Sequence, residues 1–333
     1  MTFVNATIAP VPAERTRPAV RAVVTGAAGF LGSHLVEALR KRGDDVVGVD
    51  SFSPYYEVDR KRANLANAIS DDGFTLVEAD LNDLDLEALL ADADVVYHLA
   101  GQPGVRSSCG REFVVYLNHT VLATQRLLEA AKEATLRRFV IASSSSVYGQ
   151  AERFPTHESD RVRPISPYGV TKLAAEHLCH LYWTAFGVDC VILRYFTIFG
   201  PRQRPDMAFS RFIAAALDEQ PVTIIGDGGQ SRDFTYVADA VTATIASGDE
   251  GVPDRIYNVA GGCQATVLEV VETLERLLDR RLDRHHLDAV PGDPRKTGAD
   301  VSAARSDLGF KPSVSLEEGL SRQLEHTRAT AAG

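Results

Sequence analysis

The sequence is poor in several residues that would mark other classes of protein. It holds one tryptophan, two methionines and four cysteines in 333 residues. The cysteines (Cys109, Cys179, Cys190 and Cys263) show no CxxC or zinc-type spacing. They read as reduced thiols, not as a disulfide framework or a metal site. No apolar run reaches membrane-spanning length, and the opening "MTFVNATIAPVPAERTRPAV" lacks the apolar stretch of a secretory leader. Residues 1–19 read as a flexible arm, or an appended expression scar, ahead of a cytoplasmic, enzyme-like body. Positive charge is also short: 35 Lys and Arg face 45 Asp and Glu, for a net charge of −10. That balance argues against nucleic acid or an anionic membrane as partner. An anionic substrate must then be met by a local cluster of cations.

What is present is a regular alternation. "AVRAVVTGAAGFLGSHLVEALRKRGDDVVGVD" reads as strand, glycine-rich turn, helix and a second strand ending at Asp50. The beat runs on through "FTLVEAD", "DVVYHLAG", "LATQRLLEAAKEA", "RRFVIASSS", "SPYGVTKLAAEHLCHLYWTAFG" and "VDCVILRYF". It predicts an α/β fold, a Rossmann-type doubly wound parallel sheet covered on both faces. Past about residue 197 the beat breaks, although "DRIYNVAGG" reads as one more strand of the main sheet. The expected division is a dinucleotide-binding domain of residues 20–196 and 230–262. A smaller, discontinuous C-terminal substrate lobe takes residues 197–229 and 263–328.

"TGAAGFLG" puts Gly26, Gly29 and Gly32 between a strand and a helix. Glycine lets the backbone turn tightly against a pyrophosphate, and the helix start offers it free N–H donors. Asp50, ending the next strand, suits a ribose diol and repels a 2′-phosphate, which favours NAD over NADP. Further along, Tyr168 stands four residues before Lys172 in "SPYGVTK", one face of a helix. An ammonium beside a phenol favours the phenolate. Such a tyrosine can remove a hydroxyl proton while hydride leaves the same carbon for NAD. A hydroxyl of the preceding serine run, Ser145, would share the hydrogen bond to that oxygen.

The GxxGxxG spacing resembles the short-chain dehydrogenase/reductase superfamily. From about residue 20 the chain resembles its extended branch, the NAD-dependent nucleotide-sugar epimerase/dehydratase family. The resemblance is carried by "TGAAGFLGSH", "HLAGQPGVR", "SSSSVYG", "SPYGVTK", "RDFTYV", "YNVAGG" and "GDPRKTGADVSAARSDLGFKP". It implies NAD that is reduced and reoxidised within each turnover, and a UDP- or dTDP-sugar in the smaller lobe. It implies a homodimer joined by the helices that start near Val121 and Tyr168. It also adds Phe30, Leu31, Asp80, Leu81, Leu99 and Ala100 to the cofactor side, with Asp80 by the adenine.

Sugar dehydratases of this family carry Asp–Glu just before "VYG", where this chain has Ser145–Ser146. UDP-glucuronate decarboxylases carry Glu at the place of Ser146, which counts against decarboxylation. UDP-glucose epimerases tend to have Asn where Thr197 stands. "RYFTIFGPRQRPDMA", "SFSPYYEVDRKRANLA" and "GQPGVRSS" resemble instead the UDP-glucuronate 4-epimerases. A sugar carboxylate wants a hydroxyl and a bidentate guanidinium, and Thr197 with Arg204 are the candidate clamp. By the same resemblance Arg232 and Arg295 are the candidates for the pyrophosphate and ribose and Ser146 for the sugar, while Arg106 is a substrate candidate that could equally serve the cofactor side or order its own loop. Arg202 has no firm role. His98 reads as packing beside the cofactor, and the His285–His286 pair lacks partner ligands at metal spacing. The expected activity is therefore UDP-glucuronate 4-epimerisation. The alternatives are UDP-glucuronate decarboxylation, UDP-glucose 4-epimerisation and, from another class, an idle NAD-binding regulator.

Overall fold

A computed structural model describes residues 19–289 and 294–331. The arm expected over residues 1–19 therefore lies outside the described residues except for its last position. The main sheet is built from β1 (Arg21–Thr25), β2 (Asp45–Asp50), β3 (Phe74–Glu78), β4 (Val95–His98), β5 (Arg138–Ser144) and β6 (Cys190–Tyr195). Two short strands follow, β7 (Ile198–Phe199) and β8 (Val222–Ile225), then β9 (Ser231–Tyr236), β10 (Arg255–Val259), β11 (Cys263–Thr266) and β12 (Arg284–Leu287). The seven-stranded sheet has the order β10-β6-β5-β4-β1-β2-β3, and all its neighbours run parallel. Every residue of β4 and β6 is buried, as a sheet covered on both faces requires.

Two apolar layers fill those faces. Leu35, Val36 and Leu39 of the Phe30–Arg42 helix pack with Ala240 and Ala243 of the Val237–Glu250 helix on one side. Leu127, Leu128, Ala175 and Cys179 fill the other side from the Ala123–Ala131 and Pro167–Phe186 helices. The strand order reverses direction beside β1, between the chain's β1–β3 half and its β4–β6 half. Open α/β sheets bind ligands at the carboxyl ends of their strands at such a switch point.

The smaller lobe gathers a three-stranded sheet, β11-β9-β7, and a β12-β8 pair around a third apolar cluster that includes Phe199, Phe209, Phe234 and Leu274. Its Val267–Leu278 helix opens with a capping box between Thr266 and Glu269. The stretch expected to return to the main domain, 230–262, does so from Val237 onward. Its first strand, β9, pairs instead with β7 and β11 in the small sheet, so the chain crosses between the two bodies at the end of β9.

Candidate active site

Every candidate binding or catalytic residue except Arg295 lines one cleft of about 760 Å³ between the main sheet and the smaller lobe. At its nucleotide end, Gly26 has φ +70°, and a Cβ there would lie 2.9 Å from the Ala100 backbone nitrogen. A Cβ on Gly32 would collide with the Gly26 carbonyl oxygen. Gly29 caps the Phe30–Arg42 helix without any side-chain hydrogen bond, so the helix N–H groups are presented to the cleft. Asp50 is fixed by accepting from the Ala28 and Phe52 backbone N–H groups at 3.0 and 2.8 Å, with Lys61 Nζ 3.8 Å away. Asp80 accepts from Asn82 N at 2.8 Å and lies 3.4 Å from His119 Nε2. A glycine cradle, an open helix start and an anchored acid suit a dinucleotide carrying an unmodified ribose.

The chemical centre sits at the end of β5. Ser166 accepts from Gly169 N at 3.1 Å and Pro167 takes the first helical position, so Tyr168 and Lys172 emerge on one helical face. Burial pushes the Tyr168 phenol up, while a hydrogen bond to the Ser144 side chain and the charge of Arg204 act downward. The hydroxyl that bears on Tyr168 in this way is that of Ser144, the last residue of β5; the expected Ser145 stands one position further on. Ser145 also lines the cleft and begins the turn that Ser144 caps by accepting from Ser146 N.

Lys172, expected beside the Tyr168 phenol, is directed at the backbone. Lys172 Nζ donates to the Ala142 carbonyl at 2.8 Å, and the cation acting on Tyr168 is Arg204. Burial brings Lys172 down to about 8, with Glu176 acting upward. Glu176, one further turn along the same face, is buried against Arg194 at 2.7 Å and accepts from Ser143 Oγ. His98 engages Thr25 Oγ1 at 2.8 Å and Thr124 Oγ1 at 3.0 Å. Burial, aided by Lys172, lowers it to about 3, so it is a neutral packing group.

At the sugar end, the Thr197 carbonyl is anchored by Thr235 N at 2.9 Å. Arg204 donates Nε and Nη2 to the two oxygens of Asp206, each at 3.0 Å. Arg232 donates to the Ser231 carbonyl at 2.9 Å, and Arg106 is exposed on the loop after β4. Arg202 acquires a role: it binds Glu37 at 2.6 Å, tying this loop to the Phe30–Arg42 helix. Arg295 does not line the cleft; it holds Asp227 through both Nη atoms at 2.8 Å. His285 and His286 are exposed on β12, and no metal-holding cluster exists among the described residues.

Several cleft residues escaped the sequence reading: Ser144, Lys61, Tyr55 and Asp206. Tyr55 and Lys61 fall in "SFSPYYEVDRKRANLA", a stretch that resembled the uronate enzymes without any single residue standing out. Glu176 had a readable signal, since 168, 172 and 176 follow helical spacing.

The chain matches the NAD dependent epimerase/dehydratase family over residues 22–260. It is 44% identical over 316 residues to YtcB of Bacillus subtilis (strain 168), an uncharacterized UDP-glucose epimerase, covering 94% of this chain and 100% of YtcB. It is 37% identical over 312 residues to the UDP-glucuronate 4-epimerase of Thermodesulfobacterium geofontis (strain OPF15), covering 92% and 95%. The UDP-glucuronic acid 4-epimerase of Bacillus cereus, solved with UDP-glucuronic acid and NAD, superposes with a TM-score of 0.91 at 42% identity, covering 93% and 100%. The glycine cradle, the Tyr168–Lys172 face and these likenesses agree, and the chain belongs to the NAD-dependent epimerase/dehydratase family.

Proposed function

We infer that the protein is a UDP-glucuronate 4-epimerase that interconverts UDP-glucuronate and UDP-galacturonate. The observation that carries this reading is Arg204, a guanidinium in the same cleft as Tyr168 and close enough for its charge to act on the phenol. A cation so near the reacting carbon suits a sugar that carries a carboxylate on the neighbouring carbon. NAD, held by Gly26, Gly29, Gly32 and Asp50, accepts hydride from sugar C4 and gives it back.

The side chains of this chain do the rest. Tyr168 takes the C4 hydroxyl proton, assisted by the Ser144 hydroxyl, and returns it after the ketone has turned its other face. Lys172, anchored on the Ala142 carbonyl, stands one helical turn from Tyr168 as the second buried cation of the site. Thr197 and Arg204 hold the C5 carboxylate away from alignment with the ketone π system, so that CO2 is retained. Arg232 meets the pyrophosphate. Arg295 joins it once released from Asp227. The nucleotide sugar occupies the smaller lobe, β9 with Arg232 included.

A second copy of the chain fits the exposed apolar side chains of two helical stretches: Val114, Leu117 and Leu122 on one, Val170, Leu181 and Phe186 on the other. No helix among the described residues is long and apolar enough to cross a membrane. Four unpaired cysteines suit a reducing compartment, the cytoplasm.

The test is incubation of purified enzyme with UDP-glucuronate, resolving the nucleotide sugars and measuring CO2. UDP-galacturonate should accumulate to equilibrium. Release of CO2 matching substrate loss would sink the epimerase reading in favour of decarboxylation. UDP-glucose is the second substrate to examine, because Asp206 neutralises Arg204 and an uncharged hexose meets no unbalanced cation. A higher kcat/KM for UDP-glucose than for UDP-glucuronate would reassign the enzyme to neutral sugars.

A further inference from the structure

Arg204 and Arg295 are each paired with a nearby aspartate, but through different edges. Arg295 gives Asp227 both Nη atoms, at 2.8 Å each, so the end of its fork is taken. Arg204 gives Asp206 its Nε–Nη2 edge, at 3.0 Å each. That side-on grip keeps the Nη1 side of the guanidinium for a second acceptor. Tyr55 completes the holder: its ring lies 5.9 Å from the Arg204 guanidinium carbon, and its hydroxyl donates to Asp206 Oδ2 at 3.4 Å. Arg204, Asp206 and Tyr55 all line the cleft, and Asp206 keeps more than a third of its side chain exposed.

We propose that Asp206, steadied by Tyr55, is a positioning residue that aims the Arg204 guanidinium at the sugar carboxylate and so sets how much of the 4-keto sugar is lost as CO2. This rests on the reading of Arg204 as the carboxylate clamp. An isolated arginine of this length has several rotamers, and a bidentate carboxylate removes most of that freedom. The pair is also neutral, so orientation is gained without a strong net field that would hold the acid in its ground state. When orientation fails, the C5–carboxylate bond aligns with the C4 ketone. The bond breaks, its electron pair enters the carbonyl as an enolate, CO2 departs, and C5 takes up a proton.

The test uses the NAD-loaded full chain as wild type, Asp206→Asn, Asp206→Glu and Arg204→Ala. The readout is the fraction of consumed UDP-glucuronate released as CO2, which a loss of folded enzyme does not change. Asp206→Asn should raise that fraction about tenfold, towards the Arg204→Ala value, and Asp206→Glu should recover part of the difference. If Arg204→Ala raises CO2 and Asp206→Asn does not, the proposal is overturned and the clamp stands. If neither variant changes the fraction, the clamp falls and the proposal with it. Should Asp206→Asn fail to turn over, calorimetry with UDP-glucuronate and with UDP decides. A ratio of the two Kd values about tenfold poorer for the acid supports the role. An unchanged ratio, or tighter binding of the acid, refutes it.

Discussion

At the nucleotide end of the cleft the groups that meet a ligand are backbone or pinned by it: Gly26 at φ +70°, the uncapped start of the Phe30–Arg42 helix, and the Asp50 carboxylate held by two N–H groups. At the sugar end they are side chains such as Arg204, which lines the cleft while bound to Asp206, and two further arginines are likewise held by carboxylates, Arg295 by Asp227 and Arg202 by Glu37. Backbone donors are set by the fold and tolerate no added atom. Ion pairs are set by rotamers and can be re-aimed by one substitution. One architecture can thus keep a fixed cofactor and vary its sugar.

The sharpest break in that contrast is Gly32→Val. The added carbons would force the helix off the Gly26 carbonyl, and the purified protein should retain no NAD by absorbance or mass spectrometry, with turnover lost. No single sugar-end substitution should empty the cofactor site. NAD retained at wild-type level in Gly32→Val would end the claim that this end is fixed by backbone contact.

Next in size is the serine pair. Ser144→Ala should lower kcat about 100-fold, the scale of a positioned hydrogen-bonding partner in proton transfer. Ser145→Ala should stay within about threefold, since Ser144 is the side chain that acts on Tyr168. The reverse order would restore the original assignment.

The difference between the two ends also decides what could be read from sequence. The nucleotide end was legible because glycine spacing and a strand-end acid report directly on backbone geometry. Tyr168 and Lys172 were legible because helical spacing fixes a shared face. Ser144 was missed because four consecutive serines give no clue to where the strand stops and the turn begins. Only the register of β5 against β6, with Ser144 opposite Tyr195, settles it. The Arg204–Asp206 grip was missed because local sequence does not show which edge of a guanidinium a carboxylate takes. Arg202 lay beyond reach for another reason, its partner Glu37 standing 165 residues away. The place of β9 in the smaller sheet was hidden because the six residues SRDFTY carry no signal for which sheet they pair with.

A smaller effect is expected between the two ends, at Lys172. Burial lowers it from 10.5 to about 8, so the folded protein holds this proton less tightly than the unfolded chain. Below pH 8 the buried ammonium destabilises the fold by about 3 kcal/mol, and the penalty fades as pH rises towards 10.5. Lys172→Met should therefore abolish turnover yet stabilise the protein at pH 7 by about 2 kcal/mol. The discount reflects the donor lost from the Ala142 carbonyl. Denaturant titrations from pH 7 to pH 10 should show that gain shrinking; a gain that grows with pH would contradict the assignment.

The smallest effect tests whether the sugar end is as adjustable as its ion pairs imply. Arg202 holds φ +64°, and its link to Glu37 is reinforced by His34, whose Nε2 lies 2.9 Å from the Pro201 carbonyl. Burial lowers His34 to about 4. At neutral pH the ring is therefore uncharged, and its Nε2–H donates to that carbonyl. Arg202→Ala removes one tether and leaves the other, and Glu37 keeps about a third of its side chain in water. The loss should be under about 1 kcal/mol of stability and should raise KM for UDP-glucuronate about threefold with kcat unchanged. NAD content should not move. If Arg202→Ala instead lowers NAD occupancy, the two ends are coupled through the Phe30–Arg42 helix, and the division between a fixed end and an adjustable end fails there first.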